Sequence, residues 1–209
     1  MVANKDLLGF AKEVAISEGI SWRSLLRRAK QIVVYGSHAT GATRGTSDLD
    51  LLCVGKGRRY KSKYLHIIWI PESKLESRRW RGSELATHLA AYGKWIKGEN
   101  TWAKSSRPSR YAIGLITKRV LARTEALQDF WNALLPVYRT KQIDRLRRDV
   151  QRLVMMKHGK APVAAGTLDW EWRRSRRKQG WKSLLADAPD LAQDVKSVLQ
   201  LAHLRDSNT

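Results

Sequence analysis

The chain has 209 residues, enough for one domain of moderate size or two small ones. Its 40 lysine and arginine residues against 19 acidic ones give a formal net charge of +21. Because a field of this sign attracts polyanions and repels cations, nucleic acid is the first partner class to consider. An acidic protein is the second, and an anionic membrane surface is the third.

The sequence also limits the compartment and the metal chemistry. No stretch has the length of a transmembrane helix, and the N-terminus lacks the basic and apolar regions of a signal peptide. Cys53 is the single cysteine, so the chain has neither an internal disulfide nor a Cys/His zinc cluster. These features predict a cytoplasmic protein that is not associated with a membrane.

Two helices are predicted before the first strand. Apolar residues recur at helical spacing over residues 5–18, and Gly19 then ends the pattern. Ser21 is suited to cap a second helix from Trp22 to Lys30.

The segment over residues 31–55 has the most specific pattern in the chain. Its apolar run at residues 32–35 predicts a buried strand, because β-branched residues favour sheets. The run stops at Gly36 and Ser37, where a turn is expected to bring backbone amides and a hydroxyl to the strand end. A loop rich in glycine and threonine leads into the second half of the segment.

Two aspartates follow this loop, just before a second apolar run. Side chains two residues apart in a strand share a face, so Asp48 and Asp50 are expected side by side, with Leu49 and Leu51 facing the core. Two carboxylates held close push their pKa values apart unless a cation lies between them, and Mg²⁺ prefers oxygen ligands. The pattern predicts a site for metal-assisted phosphoryl or nucleotidyl transfer. The alternative is a polar β-hairpin whose aspartates cap a turn.

The order of these features resembles the signature of the DNA polymerase beta-like nucleotidyltransferase superfamily, especially its compact bacterial members. Gly36-Ser37 and Asp48-x-Asp50 carry the resemblance, which extends from the N-terminal helices to near Trp102. It implies that an NTP, ATP or CTP, donates a nucleoside monophosphate, and that Asp48 and Asp50 bind Mg²⁺ or Mn²⁺. The residues expected around the nucleotide phosphates are Gly36, Ser37, Arg44, Ser47 and Lys56.

The next strand departs from the superfamily pattern. Residues 64–70 predict a strand that ends at Pro71, but they contain no carboxylate where relatives often carry a third metal ligand. His66 is expected to take that place, as a metal ligand or as a proton acceptor for the attacking hydroxyl. The candidate catalytic residues are therefore Asp48, Asp50 and His66. The alternative for His66 is a hydrogen-bonded histidine at a strand edge.

One more helix and a boundary complete the first half. Residues 80–102 predict a single helix capped by Ser83, with His88 near its apolar stripe, where a packing role is expected. A cluster of serine, proline and basic residues at 104–110 then predicts an exposed connection. The expected domains are a nucleotidyltransferase-like domain over residues 1–104 and a basic helical domain over residues 105–209.

The second half predicts a small helical bundle, with helices over residues 110–135, 139–158 and 190–204 and a loop over residues 159–168. Basic residues repeat along the middle helix, and tryptophans alternate with arginines beyond residue 168. Arginine binds phosphate, and aromatic faces stack on bases. The predicted nucleic-acid-binding residues are Arg145, Arg148, Arg152, Arg173, Arg174, Arg176, Arg177 and Lys178. The alternative is a set of solvated arginines over a core packed with tryptophans.

The sequence thus predicts an α+β fold, in which a small mixed sheet flanked by helices precedes the bundle. The first functional hypothesis is a Mg²⁺-dependent transfer of a nucleoside monophosphate to a nucleic acid, with the 3′ end of an RNA such as tRNA as the expected acceptor. Some bacterial relatives of this kind are toxins or defence proteins. A second hypothesis is AMP transfer to an acidic protein partner, as an antitoxin-like member would perform. The third is a catalytically silent, basic nucleic-acid-binding module.

Overall fold

The computed structural model describes residues 4–43, 45, 47–175 and 180–206. The chain forms two compact units, one of residues 1–109 with 161–167 and the other of residues 110–160 with 168–209. The predicted α+β class is confirmed, because a mixed sheet with flanking helices precedes a helical C-terminal region.

A five-stranded mixed sheet is the centre of the first unit. Its strands are β1 (Ala29–Tyr35), β2 (Leu49–Gly55), β3 (Tyr60–Lys61), β4 (Leu65–Ile70) and β5 (Lys94–Lys97), and their order is β3-β4-β2-β1-β5. Strand β2 is parallel to β4, whereas β1 is antiparallel to β2 and β5, and β3 is antiparallel to β4.

Both faces of this sheet are covered, because successive side chains of its central strands are apolar. One face packs on helices α1 (Asn4–Ser17) and α2 (Trp22–Arg28), and Cys53 lies in that core. The other face packs on α5 (Glu84–Tyr92), which follows the single turn α4 (Arg78–Arg81). The short helix α3 (Gly36–Thr40) follows β1 directly.

The predicted helix over residues 80–102 is wrong beyond Tyr92. Ser83 does cap α5, accepting a hydrogen bond from the amide of Ala86, but the helix ends before Gly93. The following strand β5 pairs with the edge of β1, and Trp95 and Ile96 pack into the cores on opposite faces of the sheet. Over four residues, the alternation of a strand and the spacing of a helix predict similar apolar positions. The hydrogen-bonded pairing with β1 makes this stretch a strand.

Five helices lie in the second half of the chain, within its described residues: α6 (Arg110–Phe130), α7 (Pro136–Lys157), α8 (Ala165–Ser175), α9 (Gly180–Ala186) and α10 (Ala192–Asp206). Helix α6 ends five residues earlier than predicted, at Phe130, and a short 3-10 turn (Trp131–Ala133) follows it. Residue 135, which precedes a proline, is extended. The predicted loop over 159–168 ends earlier too, at the start of α8. No helix in the described part of the chain is long and apolar enough to cross a membrane.

Candidate functional site

Strand register brings the key residues of the first unit to one end of the sheet. Asp50 pairs with Tyr35 of β1 on one side and with His66 of β4 on the other, and Lys61 of β3 pairs with His66. Gly36 follows Tyr35 directly. The parallel pairing of β2 and β4 is what places the predicted histidine beside the predicted carboxylate.

Gly36 lies against the carboxylate of Asp50. Its φ of +70° is in the left-handed region that favours glycine, and a Cβ built there would lie 2.4 Å from Asp50 Oδ2. The residues after it form the short helix α3 rather than the turn expected from the sequence, so Ser37 lies in the first turn of a helix. The glycine therefore permits a close approach between the end of β1 and the carboxylate.

Asp50 carries an unfavourable negative charge. Burial raises its pKa to about 7, with a further contribution from the nearby charge of Asp48, while Lys61 acts in the opposite direction. Asp48 is half-buried just before β2. The two carboxylates are thus close enough to repel, as the spacing of the motif predicts.

Both ring nitrogens of His66 are engaged. Its Nδ1 lies 3.2 Å from Asp50 Oδ1, and the Arg59 guanidinium donates to its Nε2, with Nε 3.2 Å away. A guanidinium can only donate, so Nε2 is the acceptor and Nδ1 carries the proton given to Asp50. Burial, reinforced by the charges of Arg59 and Lys61, lowers the pKa of His66. At 3.2 Å the contact with Asp50 is short enough for an ion pair, but with a neutral imidazole it is a hydrogen bond from Nδ1 to the carboxylate.

His88 of α5 holds the start of the motif. This buried ring accepts the backbone N–H of Gly36 at Nε2, at 3.3 Å, and its Nδ1 lies 2.7 Å from the carbonyl oxygen of Pro162. A carbonyl only accepts, so Nδ1 carries the proton and Nε2 presents its lone pair to Gly36. His88 thereby joins the motif to a segment 74 residues further along the chain.

The segment over residues 161–167 makes further contacts near the motif. The hydroxyls of Thr167 and Thr40 are 3.5 Å apart, and a Cβ on Gly166 would lie 2.9 Å from the carbonyl oxygen of Ala42. The sequence shows no signal for these contacts, since a packing role is expected for His88 and a loop for residues 159–168. Only the tertiary structure brings this segment to α3.

The other predicted nucleotide-binding residues are spread more widely. Ser47 is half-buried next to Asp48, and its carbonyl oxygen lies 3.4 Å from His38 Nε2. Lys56 follows the far end of β2, about 20 Å from Asp50 at the rise of a strand, so the structure does not bring it to this site. Arg59 and Lys61 are the cations found beside His66. Arg44 lies outside the described residues.

The predicted basic residues of the second unit fall on two neighbouring helices. Asp169 of α8 pairs with Arg147 and lies 3.7 Å from Arg148, both on α7. Arg145 is exposed, whereas Arg152 is half-buried and lies 3.8 Å from the buried Asp149. The carboxylates of Asp149 and Asp169 thus neutralise part of the positive charge of α7. On α8, Arg173 and Arg174 are exposed. Arg176, Arg177 and Lys178 lie outside the described residues.

Comparison with known proteins gives a family match within the first unit. Residues 16–85 match the nucleotidyltransferase domain family. No curated protein matches the chain significantly. Among solved structures, a nucleotidyltransferase-like protein from Exiguobacterium sibiricum has 13% identity, covers 90% of this chain and 74% of its own, and has a TM-score of 0.38. A toxin-antitoxin with AMP-PNP has 15% identity, covers 54% of this chain and 94% of its own, and has a TM-score of 0.26. For residues 16–85, the family match confirms the resemblance to the DNA polymerase beta-like nucleotidyltransferase superfamily found in the sequence.

Proposed function

We propose that the protein is a Mg²⁺-dependent nucleotidyltransferase that moves a nucleoside monophosphate from an NTP to the 3′ end of an RNA. The domain family supports transferase activity. The observation that carries the proposal is the strand register that sets Asp50 between Gly36 and His66, with Asp48 beside it.

The carboxylate pair fits a divalent cation. Burial and repulsion from Asp48 disfavour the negative charge of Asp50, and a cation between the two carboxylates would stabilise that charge. No group of three or more His, Cys, Asp or Glu side chains suited to a metal occurs among the described residues. Mg²⁺ commonly uses only one or two carboxylates and completes its shell with substrate phosphates and water. Asp48 and Asp50 would hold the ion, which supplies neutralisation of the charge on the phosphates.

The other residues of the site have distinct roles in this proposal. His66 orients Asp50 through its Nδ1 proton, because Arg59 already occupies its other nitrogen. This arrangement favours an orienting role for His66 over those of metal ligand and proton acceptor. Ser37 offers its hydroxyl to the phosphates, and the ammonium of Lys61 offsets the negative charge of the departing pyrophosphate. Gly36 keeps the motif close to Asp50.

The charge of the chain supports RNA as the acceptor. Every turnover must bring a polyanion to a protein of net charge +21, and such a field accelerates that encounter. The exposed cations of the second unit include Arg145, Arg173 and Arg174. An acidic protein is also negatively charged, so the experiment must distinguish transfer to RNA from transfer to protein.

The test incubates the protein with Mg²⁺, bulk tRNA and each α-labelled NTP in turn. We expect one NTP to give tRNA products lengthened at the 3′ end. The Asp48→Asn and Asp50→Asn variants should lose this labelling, while Asp129→Asn, which removes an exposed carboxylate of the second unit, keeps it. Label recovered on protein instead would contradict the RNA acceptor and favour nucleotide transfer to a protein side chain. An absence of labelled product would contradict the enzyme.

A further inference from the structure

We propose that Trp170, with Arg173 and Arg174 of α8, forms a stacking platform for single-stranded nucleic acid. The binding of single strands by this platform is argued from the geometry of the second unit alone. That the bound strand is the acceptor of the transfer rests on the proposed function.

The structure separates three tryptophans that look alike in the sequence. Trp172 and Trp181 pack edge to face, with ring centroids 5.6 Å apart, and the guanidinium of the buried Arg147 lies 5.1 Å from the centroid of Trp172. These two rings are therefore part of the folded unit. Trp170 is 55% exposed and contributes no such packing to the hydrophobic core of the unit. The exposed indole of Trp170 is therefore accessible to a ligand, unlike the rings of Trp172 and Trp181.

One cation lies beside this exposed indole, and a second follows on the same helix. The Arg174 guanidinium lies 5.3 Å from the ring centroid, one helical turn away. Arg173 is exposed, and its Nε donates to the carbonyl oxygen of Asp169 one helical turn earlier. Asp169 in turn links α8 to Arg147 and Arg148 of α7. These ion pairs connect the two helices that carry the basic segments predicted from the sequence.

The chemistry of this surface favours a single strand over a duplex or an acidic protein. An exposed ring beside guanidinium groups offers a base a π face and its flanking phosphates a charge-assisted hydrogen bond. A duplex keeps its bases stacked on one another and would use only the arginines. An acidic peptide would likewise use the charges and leave the indole without a partner.

The experiment measures binding without turnover. Fluorescence anisotropy compares a labelled oligouridine of about 12 nucleotides, within the site size of common single-strand binders, with a hairpin duplex of equal charge. Trp170→Ala should weaken single-strand binding about tenfold or more and leave duplex binding within twofold, while Trp170→Phe keeps most of the affinity. Arg174→Ala should weaken both and reduce the salt dependence by about one phosphate contact. The control is Phe130→Ala, which removes an aromatic ring that is 60% exposed on α6 of the same unit.

Two results would overturn the platform. One is a folded Trp170→Ala protein that binds the oligouridine as tightly as the wild type. The other is a wild-type protein that binds an acidic polypeptide but no single strand at physiological salt. Repeating the titrations in the Asp48→Asn/Asp50→Asn background separates the proposals. Absence of transfer by the wild type, with binding that still depends on Trp170, contradicts only the enzyme. Wild-type transfer to RNA that Trp170→Ala leaves unchanged contradicts only the role of the platform as the acceptor surface.

Discussion

Two substitutions at His88 separate the two hydrogen bonds of its ring. An asparagine amide reaches the position of Nδ1 and a glutamine amide that of Nε2. His88→Asn can therefore still donate to Pro162 but not accept from Gly36, whereas His88→Gln can accept from Gly36 but not donate to Pro162. If His88 positions the motif, only the asparagine variant should impair nucleotide binding.

The size of the effect follows from the bonds that are lost. Removing one partner of a buried hydrogen bond costs about 1–3 kcal/mol, so both variants should be destabilised by a similar amount. His88→Asn additionally releases Gly36, whose backbone lies against the Asp50 carboxylate. A misplacement of about 1 Å in such a site can lower activity about a hundredfold. We expect at least a tenfold loss of affinity for the magnesium–nucleotide complex in His88→Asn alone, which corresponds to about 1.4 kcal/mol.

Two measurements on each variant test this prediction. Thermal unfolding gives the loss of stability, and calorimetric titration with a magnesium–nucleotide analogue gives the affinity. His88→Leu can form neither bond, so its stability and its nucleotide affinity are the lowest values expected in the series. Equal affinities for the asparagine and glutamine variants would refute the positioning role, because destabilisation alone affects both alike.

Three further predictions address other parts of the molecule. Gly36→Ala should abolish magnesium–nucleotide binding because its Cβ meets Asp50, while Gly41→Ala, with a similar φ of +72° but open space around it, should keep binding and lose only stability; equal effects would contradict this contact. Burial raises the pKa of Cys53 to about 12, so a thiol reagent in mildly alkaline buffer should label it only in denaturant, and rapid native labelling would contradict the packing. The hydrogen bond from Lys157 lowers the pKa of Asp190, so this carboxylate stabilises the fold above its ordinary pKa of 3.8 and loses that effect as the pH falls. Asp190→Asn should lower the melting temperature slightly at neutral pH and match the wild type in acid; an equal deficit at both would contradict the assignment.

The chemistry-bearing motif could be predicted because its signals are local. Alternation along β2 shows that Asp48 and Asp50 share a face, and a glycine that ends an apolar run marks the end of β1. The fold class follows from the same local patterns, since an alternating or continuous apolar run predicts a strand over a few residues. The position of His66 beside Asp50 could not be derived from local patterns alone, because it depends on the parallel register of β2 and β4.

The residues that sequence reasoning missed act through non-local contacts. Arg59 belongs to a basic loop in the sequence, and only the pairing of β3 with β4 brings it to His66. The role of His88 depends on Gly36 and Pro162, which lie 52 and 74 residues away. Lys56 shows the opposite error: a cation near the motif in sequence lies at the other end of the strand. Spacing along a chain cannot decide such cases, because residues close in sequence can lie at opposite ends of the same strand.

The most direct test of nucleotidyl transfer follows both ends of the nucleotide. The preferred NTP is supplied in parallel with its label in the α- or the γ-phosphate, together with Mg²⁺ and bulk tRNA. We predict that the α label enters RNA while the γ label is released as pyrophosphate, and that Asp50→Asn abolishes both signals. Release of the γ label as inorganic phosphate with no α label in RNA would contradict the assignment of Asp48 and Asp50 to nucleotidyl transfer.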